Sequence, residues 1–203
     1  MAVRIYRTQT AGSTTTWTFS AWIKRGTLGT SQQIFAANTG SADPEITCYF
    51  NTSDQIDWYN YISGATLGHL KTTRVFRDVG AWYHVVMVWD TTNVTGDDRM
   101  QIWVNGVRET VLTINANPAS SQTSQVNTAS SVMNIGTNGF SSAKDFSGSM
   151  SHVQLVDGTA LTASSFGSTD ATSGIWKIKT SCYATPGTNG FCLKMEDRTN
   201  LDL

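Results

Sequence analysis

Glutamate is scarce in this sequence. It occurs only at Glu45, Glu109 and Glu196, and none has another Glu nearby. Hydrolysis of a glycosidic bond needs two carboxylates flanking that bond, one as acid and one as nucleophile or base, and no local run supplies such a pair. Glu45 lies near Asp43, but Pro44 between them reads as a charged turn leading into a strand. Charge of either sign is thin: Lys and Arg number 14, Asp and Glu 15, and the net charge is -1. No basic stripe is available to neutralise a row of phosphates, which excludes an electrostatic nucleic-acid binder. Long apolar runs are also missing, so no helical membrane insertion is expected. The opening "MAVRIYRTQT" has no apolar stretch of the kind a secretion signal needs, which predicts synthesis in a cytoplasm without the usual export route.

Cysteine and histidine are equally sparse. Cys48, Cys182 and Cys192 form an odd set whose spacings match no zinc site. They read as three reduced, partly buried thiols, although Cys182 and Cys192 flank a Pro-Gly/Asn-Gly turn region that can bring them close. His69, in "TLGHL", reads as a loop residue. His84 sits inside the most apolar strand and is expected to hydrogen-bond within the core, and His152 lies in the closing strand. No Gly-x-Ser-x-Gly elbow precedes any of them, so no nucleophile and base are in view and no catalytic residue is assigned.

What the chain has is aromatics: seven Trp, eight Phe and six Tyr in 203 residues. Each buries a large area, so a core forms without helices. Short apolar segments broken by Gly, Asn, Ser and Thr predict many strands joined by turns. In "WTFSAWIKR", Trp17, Phe19, Ala21 and Ile23 share one face, and Trp22 falls on the other. Asn105-Gly106 suits a tight hairpin turn between "RMQIWVNG" and "VRETVLTI" (107–114). "TRVF" (73–76) reads as a further strand. "TASSFG" (162–167) is the only helical hint, one or two turns from a Thr cap to Gly. The polar stretch 115–131 reads as a long loop that is mobile or interacting. The run "GAWYHVVMVWD" does not alternate, so both faces of that strand must be covered, by another sheet or by folded loops. The fold class expected is all-β, a two-sheet antiparallel jelly-roll sandwich. One domain spans 1–180, and 181–203 form a C-terminal strand and tail.

Several co-linear pieces resemble one family. "TFSAWIKRG", "GAWYHVVMVWD", "MQIWVNGV", "NIGTNG" and "FSGSMSHVQLVDGTALTASSFG" follow the order found in laminin-G-like, concanavalin-A-like jelly rolls, over roughly residues 14–167. The extension "FGSTDATSGIWKIK…GTNGFCLKM" is similar to a narrower group, laminin-G-like virion proteins of tailed, especially marine, bacteriophages. The resemblance implies a binding or assembly module. Since the fold also carries lectins and hydrolases, function has to come from the site residues.

Two candidate sites follow. "DWYNYI" offers aromatic platforms beside amide and carboxylate groups, suited to a sugar ring or a protein partner. On a strand, Asp57, Tyr59 and Tyr61 share one face, and Trp58 and Asn60 the other. Calcium, a hard cation, is a candidate at Asp90, Asp97 and Asp98, which equally make an ordinary solvated turn. Asp157, in "DGT", reads as an Asx turn. The expected function is a non-catalytic virion structural module docking on capsid or tail, with a carbohydrate-binding adhesin as the alternative. The expected partners are other virion proteins, further copies of the chain as a homo-oligomer, and host surface polysaccharide. No nucleic acid and no membrane insertion are expected.

Overall fold

The computed structural model describes residues 5–196. Its strands are β1 (Ile5–Thr8), β2 (Thr16–Arg25), β3 (Gln32–Asn38), β4 (Glu45–Phe50), β5 (Ile56–Ile62), β6 (Ala65–Thr72), β7 (Tyr83–Asp90), β8 (Met100–Val104), β9 (Val107–Arg108), β10 (Leu112–Ala116), β11 (Val132–Ile135), β12 (Gly148–Asp157), β13 (Gly167–Thr169), β14 (Trp176–Ile178) and β15 (Phe191–Leu193). One sheet has seven strands in the order β1-β11-β3-β4-β5-β6-β10. The other has six, in the order β15-β12-β2-β7-β8-β9. A two-stranded hairpin, β13-β14, is hydrogen-bonded into neither sheet. The architecture is therefore the all-β, two-sheet antiparallel sandwich that the alternation predicts. Residues 181–196 pack on the same body, because β15 pairs with β12 at the edge of the six-stranded sheet. The rest of the tail, 197–203, lies outside the described residues.

Alternation on β2 and β7 builds the core. Trp17, Phe19, Ala21 and Ile23 turn inward with Val85, Met87 and Trp89, all fully buried. They meet Phe35, Ile46, Cys48, Phe50, Ile56 and Trp58 from the seven-stranded sheet. Trp17 and Trp89 are register partners whose rings stack at 6.1 Å, and the Trp58 ring stands edge-on to Trp17 at 5.9 Å. Offset-stacked and edge-on contacts of this kind add to what area burial alone contributes.

The opposite face of β7 explains why its run does not alternate. His84, Val86 and Val88 point away from the core yet are buried. Their cover is the segment after β12: Ala163 and Phe166 pack on Val86, Val88 and Val156, joined by Leu161, Trp176 and Tyr183. The second cover is thus a hairpin and a 3-10 turn (Ala163–Ser165), the latter where "TASSFG" suggests one. The sequence reading missed β13 and β14, which are only three residues each.

Other expectations need correction. Cys182 and Cys192 are not free thiols: they form a disulfide with Cα atoms 6.0 Å apart. The turn at Gly187–Gly190 folds the chain back and brings them together. Cys48 alone is free, buried in the core. The Asn105-Gly106 hairpin is present, with φ of 49° and 83° as a tight turn of this hand needs. Its second strand, however, stops at Arg108, and the chain crosses to the other sheet as β10. "TRVF" is not a strand, because Phe76 plugs the core and its carbonyl accepts from buried Arg25 at 2.6 Å.

The polar loop 117–131 is a structural cover. Ser124 accepts from the indole of Trp17 at 2.9 Å, and the Thr123 carbonyl accepts from Asn60 at 3.0 Å. Asp157 does more than close an Asx turn. Its carboxylate accepts from the Ser13 amide at 2.8 Å, Asn127 Nδ2 at 2.9 Å and the Asn189 amide at 3.1 Å. Three distant segments are tied to one acceptor, each by a charge-assisted bond.

His84 illustrates how the outer cover holds. Its Nδ1 accepts from the Trp176 indole at 2.9 Å, so its Nε2 carries the proton and donates to Ser20 Oγ at 2.9 Å. Burial pushes the His84 pKa down to about 3. Unfolded His titrates near ~6.5, so below that pH the unfolded chain binds the extra proton and the folded one does not, until the pH nears the folded value. Stability from this group is full above the unfolded pKa and declines on acidification, by on the order of 1 kcal/mol per pH unit. The acid slope of thermal unfolding between pH 6.5 and 4 should therefore be shallower in His84→Asn than in the parent; equal slopes would exclude this role. Closing the short Cys182–Cys192 loop should stabilise by about 3 kcal/mol in the chain-entropy view. Reductant, or Cys182→Ser, should lower the urea midpoint accordingly, and an unchanged midpoint would show that the cover does not depend on the staple.

Candidate functional site

The outer face of the seven-stranded sheet gathers what the core rejects. On β4, Ile46, Cys48 and Phe50 turn inward, so Glu45, Thr47 and Tyr49 face out. On β5, Ile56 and Trp58 turn inward, so Asp57, Tyr59 and Tyr61 face out. Cross-strand register sets Glu45 opposite Tyr61 and Tyr49 opposite Asp57, and then Tyr59 opposite His69 and Asp57 opposite Lys71 on β6. His69 is thus a strand residue and not the loop residue expected, since β6 runs through Gly68 without a break.

These side chains form one network. Asp57 accepts from His69 Nε2 at 2.6 Å and pairs with Lys71 Nζ at 3.2 Å. Burial pushes the Asp57 carboxyl up, but His69 and Lys71 outweigh it and hold it below its usual range. The Tyr59 hydroxyl donates to Glu45 Oε1 at 3.3 Å, and its ring stands edge-on to His69 at 5.7 Å and to Tyr49 at 6.2 Å. Burial raises the Glu45 pKa, against the opposing pull of Lys144 and the Tyr59 hydroxyl. Burial, with Asp57 nearby, pushes the Tyr49 phenol up to about 12. Lys144 lies over the Tyr49 ring at 4.4 Å. A depression of about 310 Å³ opens here, lined by Ala42, Glu45, Tyr59, Tyr61, Thr66 and His69.

Of the five residues taken from "DWYNYI", the structure brings Asp57, Tyr59 and Tyr61 to this face. Trp58 and Asn60 belong to the interior, and both are fully buried. The split follows from the two-residue period of a strand. Glu45, His69 and Thr66 were missed as site residues, although the alternation of "EITCYF" already sets Glu45 opposite its apolar neighbours.

Two carboxylates on one face raise the question of hydrolysis. The register places Glu45 and Asp57 four residues apart on paired strands, roughly 13 Å along the sheet. Glycosidase pairs stand roughly 5–10 Å apart, and here Asp57 is held ionised by two partners while the Tyr59 ring lies between. The Ser20–His84 contact resembles a nucleophile and its base, but both residues are fully buried and the His84 nitrogen facing Ser20 is a donor. A base must accept the hydroxyl proton, so the pair is structural.

The three acids of the calcium grouping are each engaged by a different neighbour. Asp90 accepts from Thr92 Oγ1 at 2.6 Å, Asp98 pairs with Arg108 at 2.6 Å, and Asp97 accepts from Asn117 at 2.8 Å. Each carboxylate serves its own turn or strand partner. Among the described residues, no three His, Cys, Asp or Glu side chains are gathered as metal ligands. No helix of the described residues is long and apolar enough to cross a membrane.

No curated protein sequence matches the chain. Solved structures do. The native heptameric SAP-like pentraxin of Limulus polyphemus is 17% identical, with a TM-score of 0.58 over 94% of this chain and 88% of that one. The carbohydrate-binding module (CBM40) of the Ruminococcus gnavus IT-sialidase, solved with α2,3-sialyllactose, is 15% identical, with a TM-score of 0.54 over 79% of this chain and 92% of that one. The enzymatically active domain of tailspike protein 2 of bacteriophage CBA120 is 12% identical, with a TM-score of 0.51 over 80% of this chain but only 25% of that one. At these identities the likeness is one of fold. A family model matches residues 2–165, and on that match the chain belongs to the concanavalin A-like lectin/glucanases superfamily.

Proposed function

We propose that this chain is a non-catalytic binding module that takes a carbohydrate on the outer face of its seven-stranded sheet. The observation carrying this reading is the depression where Tyr59 and Tyr61 stand beside Glu45, Thr66 and His69. A sugar ring offers an apolar face for an aromatic ring and a hydroxyl edge for polar groups, and small-ligand sites combine an aromatic lining with a few placed polar atoms. The carboxylates of the face are separated and partnered, which suits recognition better than bond cleavage.

The module works as a structural part of a tailed-phage particle, on capsid or tail, with other virion proteins and further copies of itself as partners. Host surface polysaccharide is the ligand in that setting. The reading is supported by the resemblance of residues 166–195 to phage virion proteins and by the fold it shares with a phage tailspike domain. The Cys182–Cys192 staple also suits a particle released by lysis into an oxidising exterior.

Tyr61→Ala should weaken glycan binding by more than about 1 kcal/mol, as the loss of a half-buried aromatic anchor does, with an unchanged melting temperature. Trp58→Ala should instead cost about 3–5 kcal/mol of stability, because it empties the core. Calorimetric titration and thermal unfolding separate the two; full binding by the folded Tyr61 variant would remove this face as the site. Mass spectrometry of purified particles should find the chain at structural copy number, and its absence there would overturn the virion assignment.

A further inference from the structure

We infer that the depression between Glu45, Tyr61 and His69 selects neutral, hydroxyl-rich sugars and rejects carboxylated ones. The inference rests on the glycan-binding reading above and names the ligand class for the same site.

Glu45 carries the argument. The residue is only 4% exposed, and one of its oxygens, Oε2, is buried with no hydrogen-bond partner. The other oxygen accepts from Tyr59. An ionised carboxylate accepts and cannot donate, so what completes Oε2 is a donor, and a sugar hydroxyl is one. A small turn of the carboxyl toward the depression it lines would let a bound hydroxyl reach that oxygen. His69 adds to the same bias. Its Nε2 is already engaged by Asp57, so it is not free to hold a ligand carboxylate. The Thr66 and Tyr61 hydroxyls serve either role.

A ligand carboxylate meets the opposite of what it needs. It brings no donor for Oε2 and sets a second negative charge beside one that is shielded from water, where like charges repel more strongly than in solvent. Carboxylate readers use Arg or Lys, above all the two-pronged guanidinium. Neither residue type lines the depression. The cations closest along the face already have partners: Lys71 pairs with Asp57 at 3.2 Å, and Lys144 lies over the Tyr49 ring at 4.4 Å and acts on Glu45 itself. The fold likeness to a module solved with sialyllactose therefore does not extend to its ligand.

The test titrates the whole protein with three panels of oligosaccharides: neutral, carboxylated (sialylated or uronate-bearing) and amino sugars. Neutral sugars should bind at least about tenfold more tightly than carboxylated ones of the same size, about 1.4 kcal/mol. Glu45→Gln removes the charge and keeps an acceptor, so it should narrow that gap to less than about threefold, or about 0.6 kcal/mol. Equal or tighter binding of carboxylated sugars by the parent protein would overturn the inference while leaving the glycan reading intact. Preference for amino sugars over neutral ones would also overturn it, since it would make Glu45 an ion-pair partner. Binding of no sugar by the folded protein would overturn the glycan reading and this inference with it. The comparison within the parent protein stands even where the Glu45 variant fails to fold.

Discussion

Burial of the β2–β7 ribbon on both faces is the constraint from which the rest of the structure follows. Trp17, Trp89 and Trp58 fill the space between the sheets, and on the far side of β7 the side chains of His84, Val86 and Val88 are apolar or uncharged and cannot be left in water. Each such side chain contributes roughly 1.5–3 kcal/mol when removed from solvent, so the second cover is as necessary as the first. That explains why the chain continues past the sandwich. The segment from Leu161 to Tyr183 lays Phe166 and Trp176 over the ribbon, and the disulfide fastens its far end to β15. The three-layered result places the chain's apolar material at the centre of the six-stranded sheet.

The consequence for function is an asymmetry. The six-stranded sheet is covered at its centre on both sides, whereas the outer face of the seven-stranded sheet opens into a depression at Tyr59, Tyr61 and His69. Its outer face carries the polar and aromatic half of β4, β5 and β6, tied together by Asp57, His69, Lys71, Glu45 and Tyr59. Side chains fixed by such contacts lose little freedom when a ligand arrives, which favours recognition. The same fixation works against hydrolysis. An acid held ionised by two partners and a second acid a strand's length away do not share one bond.

Much of this was legible in the residues. The alternation in "WTFSAWIKR" assigned the core side of β2 correctly, and the same period split "DWYNYI" into its inner and outer halves. The unbroken run on β7 announced a double cover without naming it. What escaped the sequence escaped for physical reasons. Gly68 beside His69 suggested a loop, but β6 runs through it with only a bulge in its pairing with β5 at Asn60/Tyr61. Residues 115–131 looked mobile because they are polar, yet the Ser124 hydroxyl, the Asn127 side chain and the Thr123 carbonyl accept from Trp17, Gln9 and Asn60 inside the fold. Cys182 and Cys192 carried no partner signal beyond the turn between them. Glu45 was read with its neighbour Asp43, when its relevant neighbours, Tyr59 and Tyr61, come from another strand.

The central claim is that the ligand sits on the outer face of the seven-stranded sheet. Nuclear magnetic resonance mapping of the protein titrated with a neutral oligosaccharide tests it most directly, residue by residue. Shifts concentrated at Glu45, Tyr59, Tyr61, Thr66 and His69 are the predicted result. Shifts concentrated instead at the Asp90–Arg99 turn, or on the side of the six-stranded sheet covered by Trp176, would contradict it.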